Sequence, residues 1–336
     1  MATIVDVARL AGVSTSTVSH VVNGTRFVGD GTKQRVLDAI SQTGYRQDSV
    51  ARALRRARTD SVGLVVSNVA QPVFAGMVRG VESEATKAGY ILLLANSGED
   101  KQREADALAA LTARRVDGLI IAAAAHSSWR DLDAIRRDGT PVVLMDRTSK
   151  LRTDMVGVEN AAPMRDLVLH LIDHGHRRIA LAAGDLAVST IAERHQGYFD
   201  ALAEAKIKIN AAYVLTGSGL SEDSRADVRR LFDLRQPPTA VVATSTETAA
   251  GVLEAAGDLG LSTPRDFAFA TFDGFAHGDL FLPRITTVSQ PAYEIGVTAM
   301  QLLLRRLSGE PVTRSKTVRL KPEITYRDSC GCVGAN

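Results

Sequence analysis

The chain has 336 residues, 45% hydrophobic and 23% charged, which is typical of a soluble globular protein and too long for one ordinary domain. Its two cysteines, Cys330 and Cys332, stand too close together to crosslink distant parts of a fold, so we expect a reducing compartment. The sequence does not start with a basic stretch followed by an apolar one, as a signal peptide would, and it has no apolar run of about 18 residues. We therefore do not expect export or membrane insertion.

Charge is unevenly distributed along the chain. Residues 1–58 hold nine Lys and Arg against four Asp, a net charge of +5, and they contain no Glu. The remaining 278 residues hold 31 basic and 34 acidic side chains, a net charge of −3. A small basic unit attached to a large, slightly acidic one favours a polyanion as the partner of the first unit.

Two short helices are predicted at the start of the chain. Thr3–Asp6 fits a capping box, and apolar residues at helical spacing follow until Gly12. Ser14 fits the N-cap of a second helix. The apolar stripe of that helix consists of Val18, Val21 and Val22. Two short helices around a Gly-Val turn are typical of a helix-turn-helix.

The second helix has a polar face without carboxylates. At about 100° per residue, five hydrogen-bonding side chains fall within about 140° of arc. They are Thr15, Ser16, Ser19, His20 and Asn23. Any surface helix has a polar face, but the basic surroundings and the missing acids favour a surface that reads base edges in a major groove.

A third helix and a short basic segment complete the first part. Lys33–Thr43 carries an apolar side and stops at Gly44. Asp48–Ala57 is rich in arginine and has too few apolar residues to be stable alone as a helix. We expect this segment to fold only against DNA or a second copy of itself.

From Ser61 onward, apolar runs alternate with amphipathic segments, which predicts parallel sheets with helices on both faces. The predicted strands are Val62–Val66, Tyr90–Ala95, Val116–Ala123, Pro141–Met145, Ile179–Ala183, Ala240–Ala243 and Phe267–Phe272. The predicted helices are Phe74–Lys87, Lys101–Arg114, Ala162–His174, Ala192–Ala205, Glu222–Leu234 and Thr246–Leu259. So many strands fit two doubly wound subdomains, with a first break near Glu159–Pro163 and a return near Gln290.

Ligands of such folds bind at the carboxyl ends of the strands. Those ends carry an aromatic ring, arginines and aspartates, which suit a clamp for a sugar or a nucleobase. The residues are Asn68, Gln71, Phe74, Asp146, Arg147, the segment Gly184–Arg194, Ser245, Thr246 and Asp273. The alternative for each one is a helix cap or a surface ion pair.

Catalytic and metal-binding motifs are not found in the sequence. It has no dinucleotide fingerprint, P-loop or nucleophile elbow. His170, His174 and His176 are expected at a helix end and turn, because no neighbouring carboxylate or cysteine completes a tetrahedral metal set. Cys330-Gly331-Cys332 is expected to be a solvated tail. No metal and no cofactor is predicted.

The headpiece residues resemble a known family. Thr3–Ser14 and Thr17–Asn23 closely resemble the headpiece of the lactose/galactose repressor (LacI/GalR) family, and His20 with Thr25–Val28 is most similar to the purine and ribose repressors. The resemblance extends through the whole chain. Its further segments are Val50–Leu54 (the hinge helix), Val116–Ile120, Gly175–Ile179, Thr286–Val288 and Gln290-Pro291.

The resemblance implies a homodimeric, cytoplasmic bacterial transcription regulator that binds a palindromic double-stranded operator. Residues 1–46 would form the headpiece, 47–59 the hinge and 60–336 the effector and dimerisation core. The core would divide into an N-subdomain (about 60–160 and 291–320) and a C-subdomain (about 161–290 and 321–328). Leu54 would insert into the minor groove at the operator centre. The DNA-contacting set is Thr15, Ser16, Ser19, His20, Asn23, Thr25, Arg26, Arg52, Leu54 and Arg55.

The resemblance also implies a periplasmic-binding-protein-like core with a small effector between its subdomains. Together with the strand ends, it gives an effector set of Phe74, Arg147, Thr190, Arg194, Thr246 and Asp273. Many family members have Asp or Asn where this chain has Thr246, which makes a common sugar less certain. Purine-binding members have a stacking aromatic where this chain has Gly219, which argues against a purine.

Three other functions remain as alternatives. One is a regulator that a purine or another metabolite activates as a corepressor. The second is a solute-binding protein whose headpiece has lost its role, and the third is an enzyme on an α/β scaffold. The intact polar face of the second helix disfavours the solute-binding protein. The missing nucleophile or metal constellation disfavours the enzyme.

Overall fold

The computed structural model describes residues 2–45, 58–217, 222–280, 282–309 and 314–332. The chain forms two compact units, Met1–Thr59 and Asp60–Asn336, which we describe separately. The predicted contact residues Arg52, Leu54 and Arg55 lie outside the described residues, and so does Gly219.

The first unit contains three helices, α1 (Ile4–Ala11), α2 (Thr15–Asn23) and α3 (Asp30–Thr43). The predicted caps form: the Thr3 backbone N–H donates to Asp6 Oδ2 at 2.9 Å, and Ser14 Oγ accepts from the Thr17 N–H at 3.2 Å. Helix α3 begins three residues before the predicted Lys33. The small core consists of Val7, Ala8, Ala11, Val18, Val36 and Ala39.

The second unit contains two six-stranded sheets. The strands are β1 (Ser61–Val66), β2 (Ile91–Asn96), β3 (Gly118–Ile121), β4 (Val142–Met145), β5 (Asp154–Val158), β6 (Ile179–Gly184), β7 (Val214–Thr216), β8 (Ala240–Ala243), β9 (Ala268–Phe272), β10 (Thr286–Ser289), β11 (Thr317–Leu320) and β12 (Glu323–Thr325). The sheet orders are β11-β5-β4-β3-β1-β2 and β12-β10-β9-β8-β6-β7. All described pairings are parallel except β10 with β12.

The described helices of this unit connect successive strands, as expected for doubly wound sheets. They are α4 (Pro72–Lys87), α5 (Lys101–Ala113), α6 (Trp129–Arg137), α7 (Ala161–Asp173), α8 (Ser189–Glu204), α9 (Glu222–Phe232), α10 (Thr246–Asp258) and α11 (Ala292–Leu307). The predicted fold class of two parallel-sheet subdomains behind a helix-turn-helix headpiece is confirmed. Among the described helices, none is long and apolar enough to cross a lipid bilayer.

The chain passes between the two sheets three times. The crossings follow β5, β10 and β11, so the last two strands belong to different sheets. The sequence patterns did not predict α6, α11 and five short strands. One of these, β5, begins with the buried Asp154, whose carboxylate receives two hydrogen bonds from Arg306, each 2.6 Å long. Since Arg306 lies 152 residues away, no local pattern indicated that this acid could be buried.

The expectation for the cysteines is wrong. Cys330 is completely buried in the main apolar core, and it forms a disulfide with Cys332. The segment is held because Ser329 Oγ donates to the Phe269 carbonyl at 2.6 Å and accepts from the Thr286 N–H at 2.8 Å. The expectation that no cysteine accompanies the histidines also fails, because His170 Nε2 lies 2.8 Å from Cys332 Sγ. The sequence pattern could not indicate this contact, because 162 residues separate His170 from Cys332.

Candidate effector cavity and DNA-binding surface

A cavity of about 260 Å³ lies between the two subdomains, at the carboxyl ends of their strands. Five of the six predicted effector residues line this cavity: Phe74, Arg147, Thr190, Arg194 and Asp273. The chain places them there because β4, β9 and the N-terminal turns of α4 and α8 all end or begin at this cleft. The position and size suit a small metabolite.

Thr246 does not line the cavity. Its Oγ1 donates to the carbonyl oxygen of Gly274 at 3.1 Å, and its neighbours Ser245 and Glu247 line the cavity instead. Ser245 is the N-cap of α10. Because successive side chains of a helix point in different directions, Thr246 and Glu247 at its start do not face the same surroundings. The prediction that Thr246 faces the effector site thus does not match the described cavity, which Ser245 and Glu247 line instead.

Arg194 is held rigidly at the cavity wall. Its Nε donates to Asn160 Oδ1 at 2.8 Å, and its Nη1 donates to the Thr244 carbonyl at 2.7 Å and to Asp273 Oδ2 at 3.2 Å. The guanidinium carbon lies 3.6 Å from the centre of the Phe272 ring. Burial lowers the pKa of Arg194 and raises the pKa of Asp273. Each partner opposes this effect of burial, because Asp273 raises the pKa of Arg194 and Arg194 lowers the pKa of Asp273.

Arg147 occupies the corresponding place in the N-subdomain. Its Nη1 and Nη2 form a fork with the Glu99 carboxylate at 2.8 and 2.5 Å, and Nη1 also donates to the Ala123 carbonyl. Burial opposes ionisation of Glu99, but the hydrogen bonds and charge of Arg147 prevail and lower its pKa. The adjacent Asp146 is desolvated, and its pKa rises to about 6 although Arg147 and Arg194 favour its charged form.

Two buried polar atoms at this cavity have no hydrogen-bond partner among the described residues. They are Arg147 Nε, a donor, and Gln290 Oε1, an acceptor. The other end of the Gln290 side chain is fixed, because Nε2 donates to both oxygens of Asp273 at 2.9 and 3.0 Å. Leaving such groups unpaired costs about 1–3 kcal/mol each. A ligand that accepts at Arg147 and donates at Gln290 would remove that cost.

The cavity lining is acidic. Five carboxylates face two arginines, which gives a net charge of −3 when His126 is neutral. The carboxylates are Glu99, Asp146, Asp185, Glu247 and Asp273. Sequence reasoning missed Glu99, His126, Glu247 and Gln290, and it named Asp185 only within a longer segment. All of them follow strand ends, so the rule that identified the other residues could have found them.

Polar contacts connect the two sides of the cleft. Asn68 Nδ2 donates to Glu247 Oε1 at 3.0 Å, and the Thr148 N–H donates to Ser189 Oγ at 3.0 Å. His126 Nε2 lies 3.5 Å from Asp185 Oδ2. These contacts join residues of different subdomains. In the described conformation the two sides of the cleft therefore touch at these three points.

In the headpiece, α2 carries five of the predicted DNA-contacting residues. Thr15 and Ser16 are exposed, whereas Ser19, His20 and Asn23 are half-buried. Asn23 Nδ2 donates to the carbonyl oxygen and to Oγ of Ser19, at 2.8 and 3.2 Å.

The loop after α2 contributes two more predicted contacts. Thr25 and Arg26 are exposed, and Thr25 Oγ1 lies 2.9 Å from His20 Nδ1, which orients the imidazole ring. No acidic residue lies on α2. The described surface formed by α2 and the loop after it is therefore rich in hydrogen-bonding groups, and α2 carries no negatively charged side chain.

A helix-turn-helix unit and a two-subdomain α/β unit with an internal cavity are the parts of a ligand-responsive transcription regulator. The family model described as "Bacterial regulatory proteins, lacI family" matches residues 3–48, and "Periplasmic binding protein-like domain" matches residues 168–330. The chain belongs to the LacI family. It is a DNA-binding transcriptional repressor rather than an enzyme.

Relatives match over almost the whole chain. The HTH-type transcriptional repressor PurR of Haemophilus influenzae (strain PittEE) is 34% identical over 332 residues, 98% of each chain. The solved complex of the transcriptional regulator CelR with cellobiose has 30% identity and a TM-score of 0.72, and covers 98% of this chain and 100% of that one. The Lac repressor dimer bound to operator and the anti-inducer ONPF has a TM-score of 0.84 at 24% identity, covers 98% of this chain and 99% of that one, and shows the fold alone.

Proposed function

We propose that this repressor binds a palindromic operator as a homodimer in the bacterial cytoplasm, and that a neutral polyol, most simply a sugar, binds in the cavity and releases it. The α2 face would read bases in each major-groove half-site, and the predicted hinge would place Leu54 in the central minor groove. The predicted hinge residues Arg52 and Arg55 would contact the backbone, and Thr25 and Arg26 would support the same interface.

The charge of the cavity is the observation from which we infer the chemical class of the effector. Five carboxylates against two arginines would repel a phosphate or a carboxylate. Most donors of Arg147 and Arg194 are already used by protein oxygens. Carboxylates and the Gln290 amide oxygen instead accept hydrogen bonds from hydroxyl groups, and Phe74 offers an apolar surface for a sugar ring. The relative that was solved with cellobiose supports this class.

A purine corepressor is the second candidate, because curated relatives that share 34% identity with the chain are named PurR. An uncharged purine is compatible with the acidic lining, since its N–H groups can donate to carboxylates. The two candidates differ in their effect on DNA binding. A sugar that acts as an inducer lowers operator affinity, whereas a corepressor raises it.

The proposed coupling is a difference in effector affinity between two dimer states, of about 1–3 kcal/mol. Effector binding would change the spacing of the paired hinge segments and so decide whether they form helices on DNA. Leu54→Ala should therefore weaken operator binding and leave effector affinity unchanged. Equal loss of both affinities would contradict this division of labour.

The test measures fluorescence anisotropy of a labelled palindromic DNA with a central CG step, with neutral sugars, sugar phosphates and purines as additives. We expect one neutral sugar to raise the Kd for DNA by about 5–150-fold. Gln290→Leu should abolish that shift, while Gln196→Leu, an exposed glutamine on α8, should preserve it. A shift by a sugar phosphate alone would contradict the charge argument, and tighter binding with a purine would establish the corepressor instead.

Salt provides an independent check on the DNA-binding mode. Phosphate neutralisation releases counterions, so the DNA affinity of a basic headpiece should fall steeply with salt concentration. A flat salt response would count against operator binding through this surface.

A further inference from the structure

His170, Cys330 and Cys332 form a cluster of metal-ligating side chains in the C-subdomain. Nε2 of His170 lies 2.8 Å from Cys332 Sγ and 3.5 Å from Cys330 Sγ, and all three ligand atoms lie within 4.8 Å of one another. None of these residues lines the effector cavity. We infer that the reduced cysteine pair and His170 bind one thiophilic divalent transition metal, of the Zn²⁺ class.

The chemistry of the donors selects that class. Two thiolates and one imidazole are the ligand types of tetrahedral zinc sites, and hard cations such as Mg²⁺ prefer oxygen. Zinc bonds of about 2.0–2.3 Å place an imidazole nitrogen and a thiolate sulfur about 3.6 Å apart. The distance from His170 to Cys330 already has this value, whereas Cys332 Sγ must move away from His170 by about 0.8 Å. Once the disulfide is opened, the two sulfur atoms must also separate by roughly 1.7 Å, because two tetrahedral zinc–thiolate bonds hold their sulfurs about 3.8 Å apart. Cys332 is half-buried, so its side chain is not enclosed on all sides by the core.

The surroundings position His170 as a ligand. The Tyr326 ring stacks on the imidazole with 4.0 Å between ring centres, and His170 lies in the last turn of α7. The C-terminal end of a helix carries partial negative charge, which stabilises a cation bound there. In the reduced chain the Cys330 thiol can donate to the Arg327 carbonyl oxygen, 3.1 Å away, so metal binding must displace the proton of this thiol.

The disulfide and the metal compete for the same two sulfur atoms. A dithiol opens the disulfide by supplying two electrons and two protons, whereas a phosphine supplies the two electrons and becomes its oxide, with the oxygen and the two protons coming from water. Metal binding then releases the two thiol protons. A water molecule would occupy the fourth position of a tetrahedral metal. The bound metal would connect α7 to the C-terminal segment, which is anchored on β9 and β10 through Ser329.

The test uses the full-length chain reduced with a phosphine and freed of metal under anaerobic conditions. Co²⁺ is the probe, because tetrahedral thiolate coordination gives a charge-transfer band in the near ultraviolet and ligand-field bands in the visible range. We expect one Co²⁺ per chain, displaced by one Zn²⁺. We also expect no bands when the disulfide is intact, as verified by thiol titration.

Two variants and one control separate the site from adventitious binding. Cys332→Ala and His170→Gln should each lower Co²⁺ affinity more than about 10-fold, the minimum loss caused by removing even an outer partner of a ligand. His195→Gln, on the neighbouring helix α8, should leave the affinity unchanged. Cys332 is only half-buried, so its alanine variant tests the site even if His170→Gln fails to fold. Two titratable thiols without a cobalt spectrum, or a spectrum unchanged in Cys332→Ala, would overturn the inference.

Discussion

Arg194 Nη1 lies 3.2 Å from Asp273 Oδ2 at the wall of the cavity, although both residues are more than nine-tenths buried. Arg194 comes from α8 and Asp273 follows β9, so the pair fixes the relative position of two elements of the C-subdomain. Burying both charges is costly, and further donors of Arg194 are used by Asn160 and Thr244. The pair therefore makes the cavity rigid before any ligand binds.

Arg194→Met should lower the free energy of unfolding by about 3–5 kcal/mol, because it leaves Asp273 buried without a counter-charge. Urea unfolding followed by circular dichroism measures this loss. The control is Arg165→Met, whose partner Asp166 is at the surface. It should leave the urea midpoint nearly unchanged. Equal losses in the two variants would contradict the role assigned to the buried pair.

Asp146 makes stability depend on pH. Burial raises its pKa in the folded protein to about 6, above the ordinary value of 3.8. The folded state thus binds more protons than the unfolded state between these values, and stability falls as pH rises from about 4 to about 6. Asp146→Asn removes this titration, and Asn tolerates the positive φ of 67° at this position.

The expected result is a difference in the free energy of unfolding between Asp146→Asn and the unsubstituted protein that changes with pH. The free energy of unfolding of Asp146→Asn, relative to the unsubstituted protein, should rise by up to about 3 kcal/mol from pH 4 to pH 7. Urea unfolding at several pH values measures it. A difference that stays constant over this range would show that Asp146 titrates with an ordinary pKa.

The α2 surface makes a separate prediction about the operator. Ser16→Ala removes an exposed hydroxyl from the proposed base-reading face and should cost about 1 kcal/mol per half-site. Two half-sites in a dimer give about 2 kcal/mol, or roughly 30-fold in Kd. Ser41→Ala, an exposed serine on α3, should bind the same DNA as well as the unsubstituted protein. Anisotropy titrations compare them, and equal affinities would remove Ser16 from the interface.

The alternation of apolar runs and helical patterns was sufficient to predict the fold class. The hydrophobic strands β1, β3 and β8 are buried along almost their whole length, so their composition alone identified them. The strand β5 was missed because its first residue is an acid, and the partners that allow this acid to be buried, Arg306 and the Lys316 N–H, lie far along the chain.

The candidate site was predictable to the level of strand ends but not of side-chain direction. Phe74, Arg194 and Asp273 lie in the cavity as expected, whereas Glu247 lines it in place of Thr246, because one residue of helical rotation decides which side chain faces the cavity. The cluster of His170 with Cys330 and Cys332 depends on a contact between the chain terminus and a distant helix, which no local pattern records.

Helices α4 and α11 pack so closely that glycine is required where they cross. A Cβ atom on Gly296 would lie 2.0 Å from the Met77 carbonyl oxygen, and one on Gly80 would lie 2.1 Å from the Tyr293 carbonyl oxygen. Backbone atoms cannot yield as a flexible side chain can, so the helices would have to separate. Gly296→Ala should therefore destabilise the core by about 1–3 kcal/mol or more, measured by urea unfolding.

A glycine in an uncrowded helix provides the matched comparison. Gly257 lies inside α10, and a Cβ atom on it would meet no atom from outside its own helix within 4 Å. Gly257→Ala should stabilise the protein by about 0.4–1 kcal/mol, because alanine restricts the unfolded chain and meets no obstacle in the folded one. Opposite signs for the same substitution in two helices would demonstrate that the α4 and α11 crossing, and not helix propensity, requires Gly296. Stabilisation by both substitutions would show that the two helices can move apart at little cost.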